Sequence, residues 1–171
     1  MLATLGEGRL AGSWTLDAAR SQVRLATKSM WGVVPVKGVF GEVSGSGTVT
    51  GSGAVTGTLT VTAGSIDTKM KKRDDHLRSA DFFDAARHRD ITFSVEAITP
   101  AAGGVTVAGG LTVRGTTRTV SFGAAVSGDD AEVTLDAEVP VNRADYGLTF
   151  NQLGMMAMKS VITIHAVFTR Q

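Results

Sequence analysis

The chain contains no cysteine, which excludes disulfide scaffolds, thiolate zinc sites, iron–sulfur clusters and cysteine nucleophiles together. Proline is scarce, at 3 residues, and aromatic residues make up only 6 % of the chain. No stretch approaches the roughly 18 apolar residues of a membrane-spanning helix. The most apolar neighbourhood, residues 111–126, is interrupted by Arg114 and Arg118. Neither sign of charge predominates, since 17 lysines and arginines stand against 16 acidic residues with no long block of one sign. Nucleic acid is therefore not an expected partner, because phosphate neutralisation needs clustered cations. The stretch from Met1 to Arg9 lacks a basic segment followed by an apolar run. It does not read as a secretory signal, and a cytoplasmic location is expected. Residues 1–11 read as a tail before a single domain over residues 12–171.

What the chain has in excess is glycine, 21 of 171 residues, in a background of Val, Thr and Ala. Period-two alternation dominates, with turn residues between the runs. Leu59, Val61 and Ala63 alternate with threonines. Ile91, Phe93, Val95 and Ala97 share one face, and so do Val133, Leu135, Ala137, Val139 and Val141. These patterns predict eight or nine antiparallel strands, each with one wet face. Ala101-Ala102-Gly103-Gly104, Arg114-Gly115-Thr116-Thr117 and Ser127-Gly128-Asp129-Asp130 supply tight-turn chemistry between them. The near-repeat from Gly45 to Thr56 reads as one glycine-rich hairpin, because its glycine spacing and lack of a following helix do not fit a dinucleotide site.

Two segments break this rhythm. In the crossover over residues 67–90, Leu77, Ala80 and Phe83 fall at helical spacing, and Asp81 with Asp84 suits a second helix start, so two short helices are expected. The stretch from Arg143 to Met156 carries Tyr146, Phe150, Met155 and Met156, apolar surface that must cover something. Eight strands from one chain must either close or stack. Small residues on the predicted inner faces, Ala63, Ala97, Gly109, Ala124 and Ala137, favour a hollow closed barrel over a filled sandwich.

Several blocks are more specific than the pattern. Ser65-Ile66-Asp67-Thr68, the run from Arg73 to Asp84, and Ile91-Thr92-Phe93 closely resemble the signature of the YceI-like, polyisoprenoid-binding family. Trp14-Thr15-Leu16-Asp17, the run from Val36 to Gly41, the run from Gly110 to Arg118 and the run from Asn142 to Leu148 follow in that family's order. The resemblance runs from about Gly12 to Thr169. It implies an all-β fold, a lipocalin-like eight-stranded antiparallel barrel, whose apolar tunnel binds a long isoprenoid or other amphiphile. The chain departs from the family pattern at Arg20-Ser21, at Lys28 to Trp31 and at His88-Arg89-Asp90, changes that bear on head-group selection more than on fold.

The expected tunnel wall consists of Phe40, Leu59, Val61, Phe93, Leu111, Phe122 and Leu135, with Phe82, Phe83, Tyr146, Phe150, Met155 and Met156 lining or capping it. His165 is expected in the barrel, in contact with a ligand head group or simply satisfied by a neighbour. Asp74 and His76 read as fixing the crossover helix, and Arg78 as pairing with Asp81 three residues on. The cluster of Lys69, Lys71, Lys72 and Arg73 reads as a solvated loop. No metal site and no cofactor beyond a bound lipid are expected. The expected function is binding, sequestration or transport of a polyisoprenoid, isoprenoid quinone or fatty-acid-like lipid, without catalysis. A small isomerase or hydrolase using His165 or His76 on a lipid-like substrate is the alternative, and an interaction module with a filled interior is a third reading. Ligand exchange leaves room for peripheral membrane contact. The last strand, apolar on both faces from Val161 to Phe168, offers a contact to a second copy of the chain.

Overall fold

A computed structural model describes residues 7–171; residues 1–6, which fall in the expected tail and in the stretch read for a signal, lie outside them. Eleven strand segments follow in order: β1 (Gly12–Leu16), β2 (Gln22–Ser29), β3 (Val34–Phe40), β4 (Val43–Val49), β5 (Val55–Thr62), β6 (Ile66–Asp67), β7 (Asp90–Ala101), β8 (Gly104–Val113), β9 (Thr116–Gly128), β10 (Glu132–Asn142) and β11 (Lys159–Arg170). Every pairing between them is antiparallel.

The registers reduce eleven segments to eight strands. One edge of β11 takes β1 near its end, with Leu16 opposite Phe168, and β2 further back, with Val23 opposite Ile164. β1 and β2 are thus halves of one strand, interrupted where the Asp17 carboxylate accepts from the backbone of Ala19 and Arg20. β3 pairs with β2 and β4 with β1, so they too form one strand, broken at Gly41 and Glu42. β5 and β6 form a third, broken at the 3-10 turn Ala63–Ser65. The pairing of β1 with β11 closes the ring. The wall is an eight-stranded antiparallel β-barrel, and such interruptions let a closed sheet bend at its corners.

The two mouths differ in how the chain turns. At one, the turn mouth, three hairpins reverse within a few residues, at 50–54, 102–103 and 129–131. Residues 7–11 also lie there, and Leu10, assigned to a tail by its sequence, is 4 % exposed. At the other, the lid mouth, lie the turns at 30–33 and 114–115, the crossover after β6 and the connection between β10 and β11. The crossover contains one helix, α1 (Lys71–Arg78), not the two expected. After Ser79 the backbone folds into successive turns, with the amides of Phe82 and Asp84 both donating to the Ser79 carbonyl. Asp84 has φ +49, a left-handed conformation that ends helical continuation, and Asp81 pairs with His76 instead of capping a second helix.

Alternation along the strands builds the interior. On β8, Val105, Val107, Leu111 and Val113 are buried, with Gly109 on the same inward face. A bulge between Val95 and Ala97 shifts the phase of β7. Ala97, expected inside, is exposed, and Ile98 turns inward in its place. On β11, Ile162, Ile164 and Phe168 face in, while Val161 and His165 are exposed outside. The outer apolar face expected to meet a second copy is therefore reduced to Val161 and to Val167, which is buried beside the interruption of the first strand.

A two-chambered apolar tunnel as candidate functional site

The barrel interior is not filled. Two chambers lie along its axis, about 130 Å³ on the lid side and about 170 Å³ on the turn side. Both are lined by Leu59, Phe93, Phe122 and Ile164, which form a waist between them. The Phe93 and Phe122 rings meet there at 5.4 Å between centroids. An apolar cavity of about 150 Å³ is enough to stay dry and hold a benzene-sized group, so each chamber suits a length of hydrocarbon.

Glycine shapes the turn-side wall. Gly47 and Gly57 face each other across the β4–β5 hairpin and line the chamber. A Cβ on Gly57 would lie 2.8 Å from the Ser46 carbonyl oxygen, and one on Gly47 would lie 2.9 Å from that of Thr56. At Gly109, beside the waist, a Cβ would fall 2.8 Å from Phe93 Cζ, so the missing side chain lets that ring lie across the bore. Leu10 and Trp14 line the same chamber from the first segment, with the Trp14 indole N–H donating to the Leu10 carbonyl at 2.9 Å. The Arg170 guanidinium covers the Trp14 ring at 5.7 Å and donates to the carbonyls of Arg9 and Ala11, which ties this end down.

The lid is held by buried polar bonds. Asp74, on α1, accepts from the Thr68 amide at 2.9 Å and from its hydroxyl at 2.5 Å, while Arg73 Nε donates to that hydroxyl at 2.7 Å. Arg78 donates to the carbonyls of Gly64 and Ile66, which anchors the helix to β6 and the turn before it. Its ionic partner is Asp75 rather than the expected Asp81, because one turn of helix back brings Asp75 alongside while Asp81 swings to His76 at 2.8 Å. Lys69 and Lys71 pair with Asp67 and Asp75 on the exposed side, away from the tunnel.

The most unusual group in the lining is Arg143. It is 9 % exposed, and its guanidinium donates to the carbonyls of Ala157 at 2.9 Å, Leu148 at 2.7 Å, Phe150 at 2.7 Å and Met156 at 3.4 Å. It also lies over the Phe82 ring at 5.8 Å. The whole β10–β11 connection wraps around this one side chain. Burial pulls its pKa below the ordinary arginine value. Burial also raises the Tyr146 phenol, with Asp145 adding to the effect and Arg118 opposing it.

Of the residues singled out by sequence, Phe40, Val61, Phe82, Phe83, Leu111, Tyr146 and Met156 line the lid-side chamber. Leu135 lines the turn-side chamber, and Leu59, Phe93 and Phe122 stand at the waist. Three do not line the tunnel. Phe150 packs in the lid, edge-on to Phe82 at 5.5 Å and to His76 at 5.0 Å. Met155 is half-buried, and its carbonyl accepts from the Trp31 amide. His165 points to the outside of the barrel, where it bonds Asp136 at 2.6 Å, because its odd position on β11 opposes the inward Ile164. Sequence reasoning missed Arg143, Ser160, Leu10 and the glycine wall. The alternation of Gly45, Gly47 and Gly57 with polar residues was the available signal for the last of these.

Residues 14–169 match the YceI-like domain. The chain belongs to the YceI-like family. The UPF0312 protein SA2479 of Staphylococcus aureus strain N315 is 32 % identical over 162 residues, covering 87 % of this chain and 92 % of that protein. Among solved structures, BcnA of Burkholderia cenocepacia superposes with a TM-score of 0.80 at 28 % identity, covering 89 % of this chain and 98 % of that one. A polyisoprenoid-binding domain from Saccharophagus degradans, implicated in plant cell wall breakdown, has the same fold, with a TM-score of 0.74 at 17 % identity, covering 92 % and 98 % of the two chains.

Proposed function

We propose that this YceI-like protein binds and sequesters a long apolar amphiphile, of polyisoprenoid, quinone or fatty-acyl type, with its tail threaded through both chambers, and carries it between membranes. The observation that supports this most is the pair of apolar chambers joined at a shared waist inside one closed wall. The polyisoprenoid-binding domain of Saccharophagus degradans, alike in fold, points the same way. Transfer of a tail from water gains about 0.8 kcal/mol per buried methylene, before the costs of association. Ten methylenes contribute about 8 kcal/mol on that scale, so tight binding calls for a tail long enough to fill both chambers. The two histidines named for an acid–base alternative do not line the chambers: the His165–Asp136 pair is on the outer wall and the His76–Asp81 pair is on the exposed side of the lid.

Loading fits the lid mouth. Trp31 is 65 % exposed, Val33 79 % and Leu153 76 %, and the Trp31 indole N–H donates to the Leu153 carbonyl, so two loops share one apolar tip. Lys28 and Lys159 are exposed beside it, and the Lys28 carbonyl accepts from the Ala157 amide. Apolar side chains ringed by lysines suit transient contact with an anionic bilayer. Native mass spectrometry of protein extracted without detergent tests the binding: a co-purifying lipid with a long tail is expected, and failure to take up any such lipid on incubation overturns the proposal. For the docking, Trp31 emission shifts to the blue on vesicles containing anionic lipid, and the double change Trp31→Ser with Leu153→Ser slows lipid transfer about tenfold. Unchanged transfer removes the tip from the mechanism.

A further inference from the structure

Resting on that reading, we infer that the tunnel selects an amphiphile with an oxyanion head, seated against Arg143 at the lid end of the bore. A guanidinium carries five N–H groups, and Arg143 directs one from Nε and two from Nη1 to carbonyls at 2.7–2.9 Å. Nη2 has only the Met156 carbonyl, at 3.4 Å, which leaves its donor capacity largely unspent. The positive charge is also uncompensated. Every partner is a neutral carbonyl, and among the described residues no carboxylate comes within ion-pair distance. The acids of the lid helix and the turns after it are engaged elsewhere, Asp74 with Thr68, Asp75 with Lys71 and Arg78, and Asp81 with His76, and Asp145, on the same turn as Arg143, is exposed.

A full charge in an apolar chamber is costly unless an opposite charge or strong dipoles meet it. The four carbonyls supply the dipoles and hold the fork rigid. An oxyanion arriving with its tail already in the bore supplies the missing charge, and guanidinium suits carboxylate and phosphate geometry. Two hydroxyl-bearing residues, Tyr146 and Ser160, are buried in the lining of the same chamber. Ser160 lies on the same inward face of β11 as Ile162 and Ile164. The basic cluster around Lys69, by contrast, is exposed and partly paired with its own acids, so it offers no comparable buried seat.

The test uses matched tails on the intact protein. Palmitate is compared with hexadecanol, and geranylgeranyl phosphate with geranylgeraniol, by displacement of an apolar dye at pH 8. The acid of at least one pair is expected to bind tenfold or more tightly than its alcohol, as a charge-assisted bond to a desolvated partner implies. The pair with the larger ratio identifies carboxylate or phosphomonoester as the source of the anion. Arg143→Gln is expected to bring the ratio to near one while leaving the alcohol within twofold. Because that change also loosens the lid, Tyr146→Phe and Ser160→Ala provide a second reading that leaves the carbonyl cradle intact, and together they lower the ratio about threefold. Alcohols that bind the wild-type protein as tightly as their acids overturn the inference and leave the tunnel reading standing. Failure of both members of both pairs to bind overturns the tunnel reading itself, and this inference with it.

Discussion

The two chambers are made of different kinds of backbone. On the turn side the wall is regular strand running into tight hairpins, the inner face is thinned by Gly47 and Gly57, and the end is stoppered by Leu10 and Trp14 from the first segment. On the lid side the strands run out into a helix, two long connections and an apolar tip. Here the lining includes Arg143, Tyr146 and Ser160, and the lid is fastened by side-chain bonds to carbonyls rather than by a ladder. One region holds its shape through strand pairing, the other through a few buried polar groups. On the proposed reading, a strand-built end and a looser polar end set a direction: tail first through the lid, head group last. Local opening costs less where fewer ladder bonds must break, so the lid is also the part expected to move.

The sharpest way to break this comparison is to close the waist. Ile164→Trp places an indole between the chambers and is expected to weaken a twenty-carbon tail at least a hundredfold, because the carbons beyond about the first eight lose their chamber at about 0.8 kcal/mol each. An eight-carbon tail, which needs the lid-side chamber alone, is expected to stay within threefold. Equal losses for both lengths, measured by dye displacement, would mean that the chambers are not used in series. The stopper comes next. Trp14→Ala removes a buried indole and is expected to cost about 3–5 kcal/mol in denaturant unfolding. It also opens the turn mouth, and an apolar dye should then enter without lid motion, seen as a faster association rate.

The fold was legible because period-two patterning survives in almost every strand, and the turn residues at 101–104, 114–117 and 127–130 fall where the hairpins are. The three strand interruptions were not legible as such. Asp17 and Gly41 look like ordinary hairpin punctuation, and only pairing across β11 and β2 reveals that the chain continues in line. The bulge before Ala97 has no local signature either, so a face assigned by alternation flipped there. In the site, apolar wall positions followed from alternation, while Phe150, Met155 and His165 did not. The first two sit in connections, where no period fixes a direction. His165 was read for its chemistry, although its parity with Val161 and Thr163 already placed it outside. Arg143 escaped notice because its partners are backbone carbonyls, which leave no trace in side-chain spacing.

A milder change separates the two modes of holding shape. Asp74→Ala leaves the Thr68 amide and hydroxyl without their carboxylate partner, and a cost of about 2–3 kcal/mol is expected. Amide hydrogen exchange should accelerate over residues 68–85 while β4, β5 and β8 keep their protection. Uniform acceleration across the barrel would show that the lid and the wall unfold as one unit, and the contrast between them would be lost.

The smallest expected effect is the most informative about catalysis. His165 and Asp136 form a pair only 2.6 Å apart, the kind of arrangement that draws attention as an acid–base site. Yet both side chains are about half exposed, on the outer wall, across the sheet from the chambers. A solvent-exposed ion pair contributes about 0–1 kcal/mol, because water competes for each partner and ordering the side chains opposes the gain. His165→Ala should therefore change unfolding free energy by less than about 1 kcal/mol and leave amphiphile affinity within twofold. A large loss of binding, or of any turnover detected on a lipid ester, would place working chemistry on the outside of the barrel and would mean that the tunnel is not where this protein meets its ligand.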